Sequence, residues 1–120
     1  MNADLMFDKA VFLTLRSELG AEDATEVLTA FLSDTSSKMD VLASGVPDRS
    51  VTRREAHAIK SSAATFGFSE LARLARELEL DAQGASPANL QQAIAAIQIS
   101  FGEISAFARA SLLDPNLEIA

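Results

Sequence analysis

Residues 53–79 read RREAHAIKSSAATFGFSELARLARELE and contain the only histidine of the chain, His57. Small and apolar residues recur in the first half of this stretch with steps of four and three, the spacing of a helix that packs on its neighbours. Gly67 then interrupts the run, as glycine commonly does just past a helix C-terminus. The stretch therefore predicts a helix that carries His57 and ends at Phe66, followed closely by another helix.

Two helices are predicted from this stretch, and both have recognisable ends. The third helix of the chain starts near residues 48–52, where Asp48, Ser50 and Thr52 offer polar caps. Ser69 is expected to cap a fourth helix that runs to about Gln83. A connection of two or three residues forces the two helices into an antiparallel pair. The predicted inward seam of the third helix is Thr52, Ala56, Ile59, Ala63 and Phe66, and that of the fourth is Leu71, Leu74, Ala75 and Leu78.

Apolar periodicity and breaker residues predict three further helices. The first runs from about Asp4 to Leu19, and the second from Ala21 or Glu22 to Ser44, before the break at residues 45–47. The fifth begins with Ser86 as cap and Pro87 at the first helical position, and reaches about Leu113. The expected apolar faces are Phe7, Val11, Leu15 and Leu19, with Phe12 beside them; Val27, Leu28, Phe31, Leu32, Met39 and Leu42; and Leu90, Ile94, Ile97, Phe101, Ile104 and Ala108.

The predicted fold class is all-α: an antiparallel four-helix bundle with an additional short N-terminal helix across one end. A chain of 120 residues that is 48 % hydrophobic fits one domain with its own core. The absence of tryptophan and tyrosine also suits helices better than sheets. We expect the bundle to occupy residues 1–113 and a C-terminal tail to occupy residues 114–120.

Composition excludes several classes of function. The chain has no cysteine, which rules out disulfides, thiolate metal sites and cysteine nucleophiles. Its net charge of −7 argues against general nucleic-acid binding, which requires a basic surface. Neither a signal peptide nor a membrane-spanning stretch is expected, so we predict a cytoplasmic location. A monomer is the default expectation. The charge is uneven, because residues 48–80 contain six basic and five acidic side chains, whereas the remainder has four and twelve.

A helical wheel places His57 on the solvent side of the third helix. The seam fits within an arc of about 80°, and His57 lies about 140° from the centre of that arc. Its wheel neighbours are Arg53, Lys60, Ser61 and Ala64. The neutral imidazole is a good nucleophile near pH 7, and two nearby cations suit a phosphoryl group attached to it. A solvated histidine without a role is the alternative for such a residue taken alone.

The stretch resembles the histidine-containing phosphotransfer (HPt) domain of two-component phosphorelays. That family shows a histidine, a lysine three residues later, small residues, a glycine, and a following helix with spaced leucines that ends in Leu-Glu. Here these positions are His57, Lys60 and Gly67, followed by Leu78-Glu79 at the end of the pattern. Residues 15–42 also look like the first two helices of that family, so the resemblance covers most of the chain.

The resemblance implies a phosphorelay carrier. His57 would be the phosphorylated nucleophile and Lys60 would support the phosphoryl group. Partner docking would involve Arg53, Arg54, Ser61 and Ala64, and Gly67 would be a structural cap. The partners would be receiver domains of response regulators or of hybrid histidine kinases, which would bring the Mg²⁺. No stably bound cofactor and no metal site are implied, and the absence of a phosphate-binding glycine loop predicts no ATP-dependent kinase activity.

Ser61 departs from the family pattern, which usually has glycine at this position, and its added bulk could change which partner docks or how closely.

A non-transferring helical adaptor that docks a receiver or kinase domain remains the alternative. Other classes fit the residues less well: a di-iron bundle needs Glu-x-x-His pairs, zinc needs several His or Cys ligands, and haem ligation by a lone histidine has no support. A hydrolase would depend on Ser61 or Ser62 beside His57, with no oxyanion hole in evidence.

Overall fold

The structure is a computed structural model that describes residues 6–44 and 48–114. Within these ranges five helices are present and no strand occurs, so the predicted all-α class is confirmed. The helices are α1 (Lys9–Leu19), α2 (Ala21–Ala43), α3 (Arg49–Phe66), α4 (Ser69–Asp81) and α5 (Pro87–Ser111). None of these helices combines the length and the apolarity needed to cross a membrane. The predicted break at residues 45–47, the start of the first helix at Asp4 and the tail at residues 115–120 lie outside the described ranges.

The central helix, α3, follows the sequence prediction closely. Asp48 caps its N-terminus by accepting hydrogen bonds from the backbone N–H groups of Ser50 and Val51, at 2.9 and 3.4 Å. The whole predicted seam is buried: Thr52, Ala56, Ile59, Ala63 and Phe66. The four-three spacing thus identified the face of α3 that packs against the other helices.

α2 and α3 run antiparallel along each other. Lys38 of α2 pairs with Glu55 of α3 at 3.5 Å, and Phe31 of α2 lies against Phe66 of α3 with a ring centroid distance of 5.0 Å. A later residue of α2 therefore meets an earlier residue of α3. The apolar face of α2 was predicted correctly except at Val27, which is 39 % exposed, whereas Thr35 is buried.

α3 ends at Phe66 as predicted, and Gly67 follows in the left-handed conformation with φ 84°. The N–H groups of Gly67 and Phe68 donate to carbonyls of the last turn of α3, at 3.2 and 2.9 Å. The backbone N–H of Asp8 also donates to the Gly67 carbonyl at 2.6 Å. A Cβ at position 67 would collide with the carbonyl oxygen of Asp8. Glycine is therefore required here both by the backbone conformation and by the close approach of the segment before α1.

The prediction of an unbroken helix from Asp4 to Leu19 was wrong. Phe7 and Asp8 are not helical, and α1 begins at Lys9 with Asp8 as its cap. The hydrogen bond from Asp8 to Gly67 holds the backbone of Asp8 extended, which prevents the helix from continuing through it. The predicted stripe is buried only in part, because α1 starts after Phe7: Phe7 and Phe12 are buried and Leu15 packs against the core. Val11 and Leu19 are exposed, and Phe12 is the residue of α1 that is buried.

A cluster of phenylalanines joins several parts of the chain at this end of the bundle. Phe7 contacts the rings of Phe12, Phe68 and Phe107, with centroid distances of 5.0–5.8 Å. Phe68 in turn stacks on Phe31. The segment before α1, the turn after α3, α2 and α5 therefore share one core, since such ring pairs contribute beyond their buried area.

α4 and α5 differ slightly from the predicted boundaries. Phe68 occupies the N-cap position of α4, so Ser69 is the first helical residue and not the cap. α4 ends at Asp81, two residues before the predicted Gln83. Arg49 explains the early end, because its guanidinium donates to the carbonyls of Ala82 and Ala85 at 3.0 and 2.7 Å and so satisfies the backbone after α4.

The start of α5 was predicted correctly. The Ser86 hydroxyl accepts from the Asn89 N–H at 3.1 Å, and Pro87 is at the first helical position. The helix ends at Ser111, with Leu112 as its C-cap, shortly before the predicted Leu113.

Replacing Gly67 by alanine should destabilise the fold strongly. A non-glycine residue in this conformation costs about 1–3 kcal/mol, and the clash with the Asp8 carbonyl adds to that cost. We expect Gly67→Ala to lower the free energy of unfolding by at least about 2 kcal/mol in denaturant titrations. Gly84→Ala is the matched control, because a Cβ there meets nothing within 4 Å, and it should change stability by less than about 0.5 kcal/mol. Equal effects of the two substitutions would contradict this account of Gly67.

Candidate functional site

His57 lies in the middle of α3, on the face opposite the buried seam. Its side chain is 63 % exposed, in agreement with the orientation that the helical wheel predicts. The ring is nevertheless held in place on one side, because its Nδ1 atom lies 2.5 Å from Oε2 of Glu79 on α4. An exposed ring with one fixed nitrogen is an arrangement suited to directed nucleophilic attack.

Glu79 is shared between His57 and Lys60. The Lys60 ammonium donates to Oε1 of Glu79 at 2.8 Å and lies 3.4 Å from Oε2, the oxygen that faces His57. The Glu79 side chain is only 13 % exposed, whereas that of Lys60 is 29 % exposed. The three residues therefore form one cluster, with the carboxylate at its centre and the imidazole at its surface.

The turn between α3 and α4 determines why these residues meet. His57 stands ten residues before Gly67, and Glu79 stands eleven residues after Phe68. At about 1.5 Å per residue, both lie roughly 15 Å from the turn on two antiparallel helices. The left-handed turn at Gly67 thus sets the register that places the carboxylate opposite the imidazole.

The carboxylate decides which tautomer of His57 is favoured. An ionised carboxylate has no proton to donate, so Nδ1 must carry the hydrogen and donate it to Glu79. In the neutral ring the other nitrogen, Nε2, then holds a free lone pair. Nε2 also has no hydrogen-bond partner among the described residues. The geometry therefore leaves the Nε2 lone pair available to react.

Glu79 is kept ionised by its neighbours. The hydrogen bond from Lys60 lowers the pKa of Glu79 below its ordinary value, and the hydrogen bond from His57 lowers it further. Partial burial opposes both effects by disfavouring the charged form, and the net shift is downward. At neutral pH the carboxylate is therefore available to hold the proton on Nδ1.

The remaining predicted docking residues are all exposed, but they lie on different sides of His57. Arg53, Ser61 and Ala64 are at the surface of α3 within two turns of the histidine. Arg54 has 71 % of its side chain exposed and lies 3.7 Å from Glu55, which also pairs with Lys38 of α2. Arg54 thus belongs to the α2 side of α3, and the structure does not bring it to the Glu79 cluster.

Sequence reasoning missed the role of Glu79. Its position was noted only as the last residue of the leucine pattern after Gly67, and no contact with His57 was expected. The signal was present, since the distances of His57 and Glu79 from the turn are nearly equal. Among the described residues, no group of three or more histidine, cysteine, aspartate or glutamate side chains is arranged to hold a metal ion.

A sequence model of the Hpt domain matches residues 26–107, which is more than half of the chain. The chain belongs to the Hpt domain family. Membership indicates a phosphotransfer role in two-component signalling and interaction with receiver or kinase domains. The matched range of this Hpt domain includes the whole of the His57, Lys60 and Glu79 cluster. It leaves out α1, the first residues of α2 and the last residues of α5. Searches of curated proteins and of solved structures gave no match.

The lowered pKa of Glu79 predicts acid-sensitive stability. A group whose pKa is lower in the folded state stabilises the fold fully above its unfolded pKa, about 4.3 for glutamate, and this contribution is lost as the pH falls through the folded value. We expect the melting temperature of the wild type to exceed that of Glu79→Gln at pH 7, with the gap closing below about pH 4. Melting curves at several pH values test this, and a gap independent of pH would contradict it.

The contact with Glu79 also predicts the tautomer of His57. ¹⁵N chemical shifts of the neutral ring should show a protonated Nδ1 and an unprotonated Nε2 in the wild type. In Glu79→Ala, which removes the acceptor, the shifts should move toward a mixture of the two tautomers. An unchanged tautomer in Glu79→Ala would show that the carboxylate does not control it.

Proposed function

We propose that this Hpt domain is a phosphorelay carrier that accepts a phosphoryl group on His57. The donor is the aspartyl phosphate of a receiver domain, and the acceptor is the aspartate of another receiver. The observation that supports this most strongly is the imidazole that is 63 % exposed while its Nδ1 is held by Glu79.

The proposed transfer balances without an external base. The Nε2 lone pair attacks phosphorus, the bond between phosphorus and the aspartate oxygen breaks, and the aspartate carboxylate leaves with the electron pair. Nδ1 keeps its proton throughout, so the phosphorylated ring is positively charged and remains paired with the Glu79 carboxylate. In the onward step an incoming aspartate attacks phosphorus, and the N–P bond breaks to return a neutral imidazole.

Glu79 and Lys60 have complementary roles in this proposal. Glu79 orients the ring and stabilises its positive charge in the phosphorylated state, so we regard it as a positioning residue. Lys60 holds Glu79 in place and remains 29 % exposed, which allows its ammonium to offset the charge of the phosphoryl group. Arg53, one turn before His57, is a second cation on the same face. The receiver is expected to supply Mg²⁺, which neutralises charge on the transferred group.

The competing proposal is a helical adaptor that binds a receiver or kinase domain without transfer. The same exposed face of α3 would serve that role. An adaptor, however, gives no reason for an acidic side chain that is 13 % exposed and placed against both the histidine and the lysine. The cluster therefore favours transfer over docking alone.

The decisive experiment is transfer from a receiver domain carrying a radiolabelled aspartyl phosphate, with Mg²⁺ present. We expect label on the wild type that is stable to base and labile to acid, as for a phosphorus–nitrogen bond, and none on His57→Gln. Incubation with labelled ATP alone serves as the control and should give no label.

A panel of receivers is needed because the partner is unidentified. If one receiver binds the domain but none transfers its phosphoryl group, the carrier proposal fails and the adaptor remains. Equal labelling of His57→Gln and wild type would place the phosphoryl group elsewhere and would also refute the proposal.

A further inference from the structure

Most cations of α3 and α4 already have a partner within the chain. Lys60 is paired with Glu79, and Arg54 lies near Glu55. The partners of the other two are acidic side chains or backbone carbonyls: Glu70 and Glu77 for Arg73, and Ala82 and Ala85 for Arg49. The charges of these four side chains are therefore partly satisfied before any partner protein arrives.

Arg53 and Arg76 are the exceptions. Both are exposed, and neither forms an ion pair or a side-chain hydrogen bond with any residue in the ranges 6–44 and 48–114. An exposed guanidinium without an internal partner is free to bind a carboxylate on another protein, often through two parallel hydrogen bonds.

The helical register places these two arginines on opposite sides of His57 along the helix axes. Arg53 precedes His57 by four residues on α3, and Arg76 precedes Glu79 by three residues on α4, so each lies one turn from a member of the cluster. Because α3 and α4 are antiparallel, Arg53 lies farther from the turn at Gly67 than His57 does, whereas Arg76 lies nearer to that turn than Glu79 does. At about 1.5 Å per residue, the two positions lie roughly 10 Å apart along the helix axes, with His57 between them.

We propose that Arg53 and Arg76 form a pair that binds acidic side chains on the receiver domain and aligns its aspartate with His57. This inference rests on the proposed function and adds Arg76 to the docking surface. Arg54 is a weaker candidate for this role, because Glu55 already accompanies it.

The distribution of charge in the chain supports binding of an acidic surface of the receiver at Arg53 and Arg76. Residues 48–80 carry a net charge of +1, whereas the rest of the chain carries −8. An acidic surface would be repelled by most of this protein and attracted to the two unpaired arginines beside His57. Such an arrangement selects orientation and raises the association rate more than it raises affinity.

The test compares Arg76→Gln and Arg76→Glu with the wild type in transfer from a labelled receiver, using the receiver from the panel that transfers fastest. The second-order rate constant should fall about tenfold or more in Arg76→Glu at low salt, and less in Arg76→Gln. The difference should shrink as salt is raised, because screening weakens exposed charges. The rate at saturating receiver should fall much less than the second-order constant.

Arg109→Glu is the matched control. It makes the same change of charge on an exposed arginine, but Arg109 lies on α5 beside Leu32 and Ser33 of α2, away from the α3–α4 face. Transfer to Arg109→Glu should remain close to that of the wild type. If Arg109→Glu slows transfer as much as Arg76→Glu, net charge alone is responsible and the proposal is wrong.

Labelling by phosphoramidate, a small donor that needs no docking surface, separates the remaining outcomes. It should be far less affected by Arg76→Glu than receiver transfer is. If both fall equally, Arg76 acts on the phosphoryl group itself and the docking proposal is overturned. If the receiver transfers to Arg76→Glu at the wild-type rate, this inference is overturned and the carrier function is left intact. Absence of transfer to the wild type from every receiver would refute both.

Discussion

The left-handed turn at Gly67 is the constraint on which the position of the site depends. It connects α3 to α4 with a single capped turn, and its carbonyl accepts the N–H of Asp8 from the segment before α1. The turn at Gly67 therefore fixes the antiparallel register of α3 and α4, and its hydrogen bond with Asp8 anchors the N-terminal helix. The next residue, Phe68, is completely buried in the phenylalanine cluster, so the turn cannot shift without disturbing the core.

This register brings charged side chains together at a point roughly 15 Å from the turn at Gly67. Three ionisable side chains from two helices converge there, and only the middle one is largely shielded from solvent. A partly buried carboxylate between two hydrogen-bond donors remains charged, which its lowered pKa reflects. The rigid pairing of the two helices thus holds Glu79 against His57 and keeps a proton on Nδ1 of an otherwise exposed ring.

The sequence was sufficient to predict most of the fold, because local signals dominate in a helical bundle. The seam of α3, its end at Gly67 and the Ser86-Pro87 start of α5 all depend on residues within one or two turns of each other. The break at Phe7 and Asp8 was missed because it depends on a hydrogen bond to residue 67, nearly sixty residues later. Val27 was placed in the core because apolar character alone does not distinguish the middle of a buried face from its edge.

The exposure of His57 and its closeness to Lys60 were predictable from the sequence, whereas the contacts with other helices were less so. His57 and Lys60 share one helix, so their proximity follows from spacing alone. The contact of Glu79 with both requires the relative register of two helices, and the separation of Arg54 from the cluster requires knowing which side faces α2. Arg76 was overlooked for the same reason, since it follows His57 by nineteen residues along the chain and lies one helical turn before Glu79 on α4.

The retained proton on Nδ1 has a consequence for the energetics of signalling. In the proposed reaction His57 neither releases a proton when it is phosphorylated nor takes one up when it is dephosphorylated. At pH values where the unphosphorylated ring is neutral and Glu79 is ionised, the equilibrium of transfer through this residue is therefore uncoupled from proton concentration. The direction of phosphoryl transfer is then set by the relative free energies of the donor and acceptor aspartyl phosphates. The histidine carries the phosphoryl group in either direction between them.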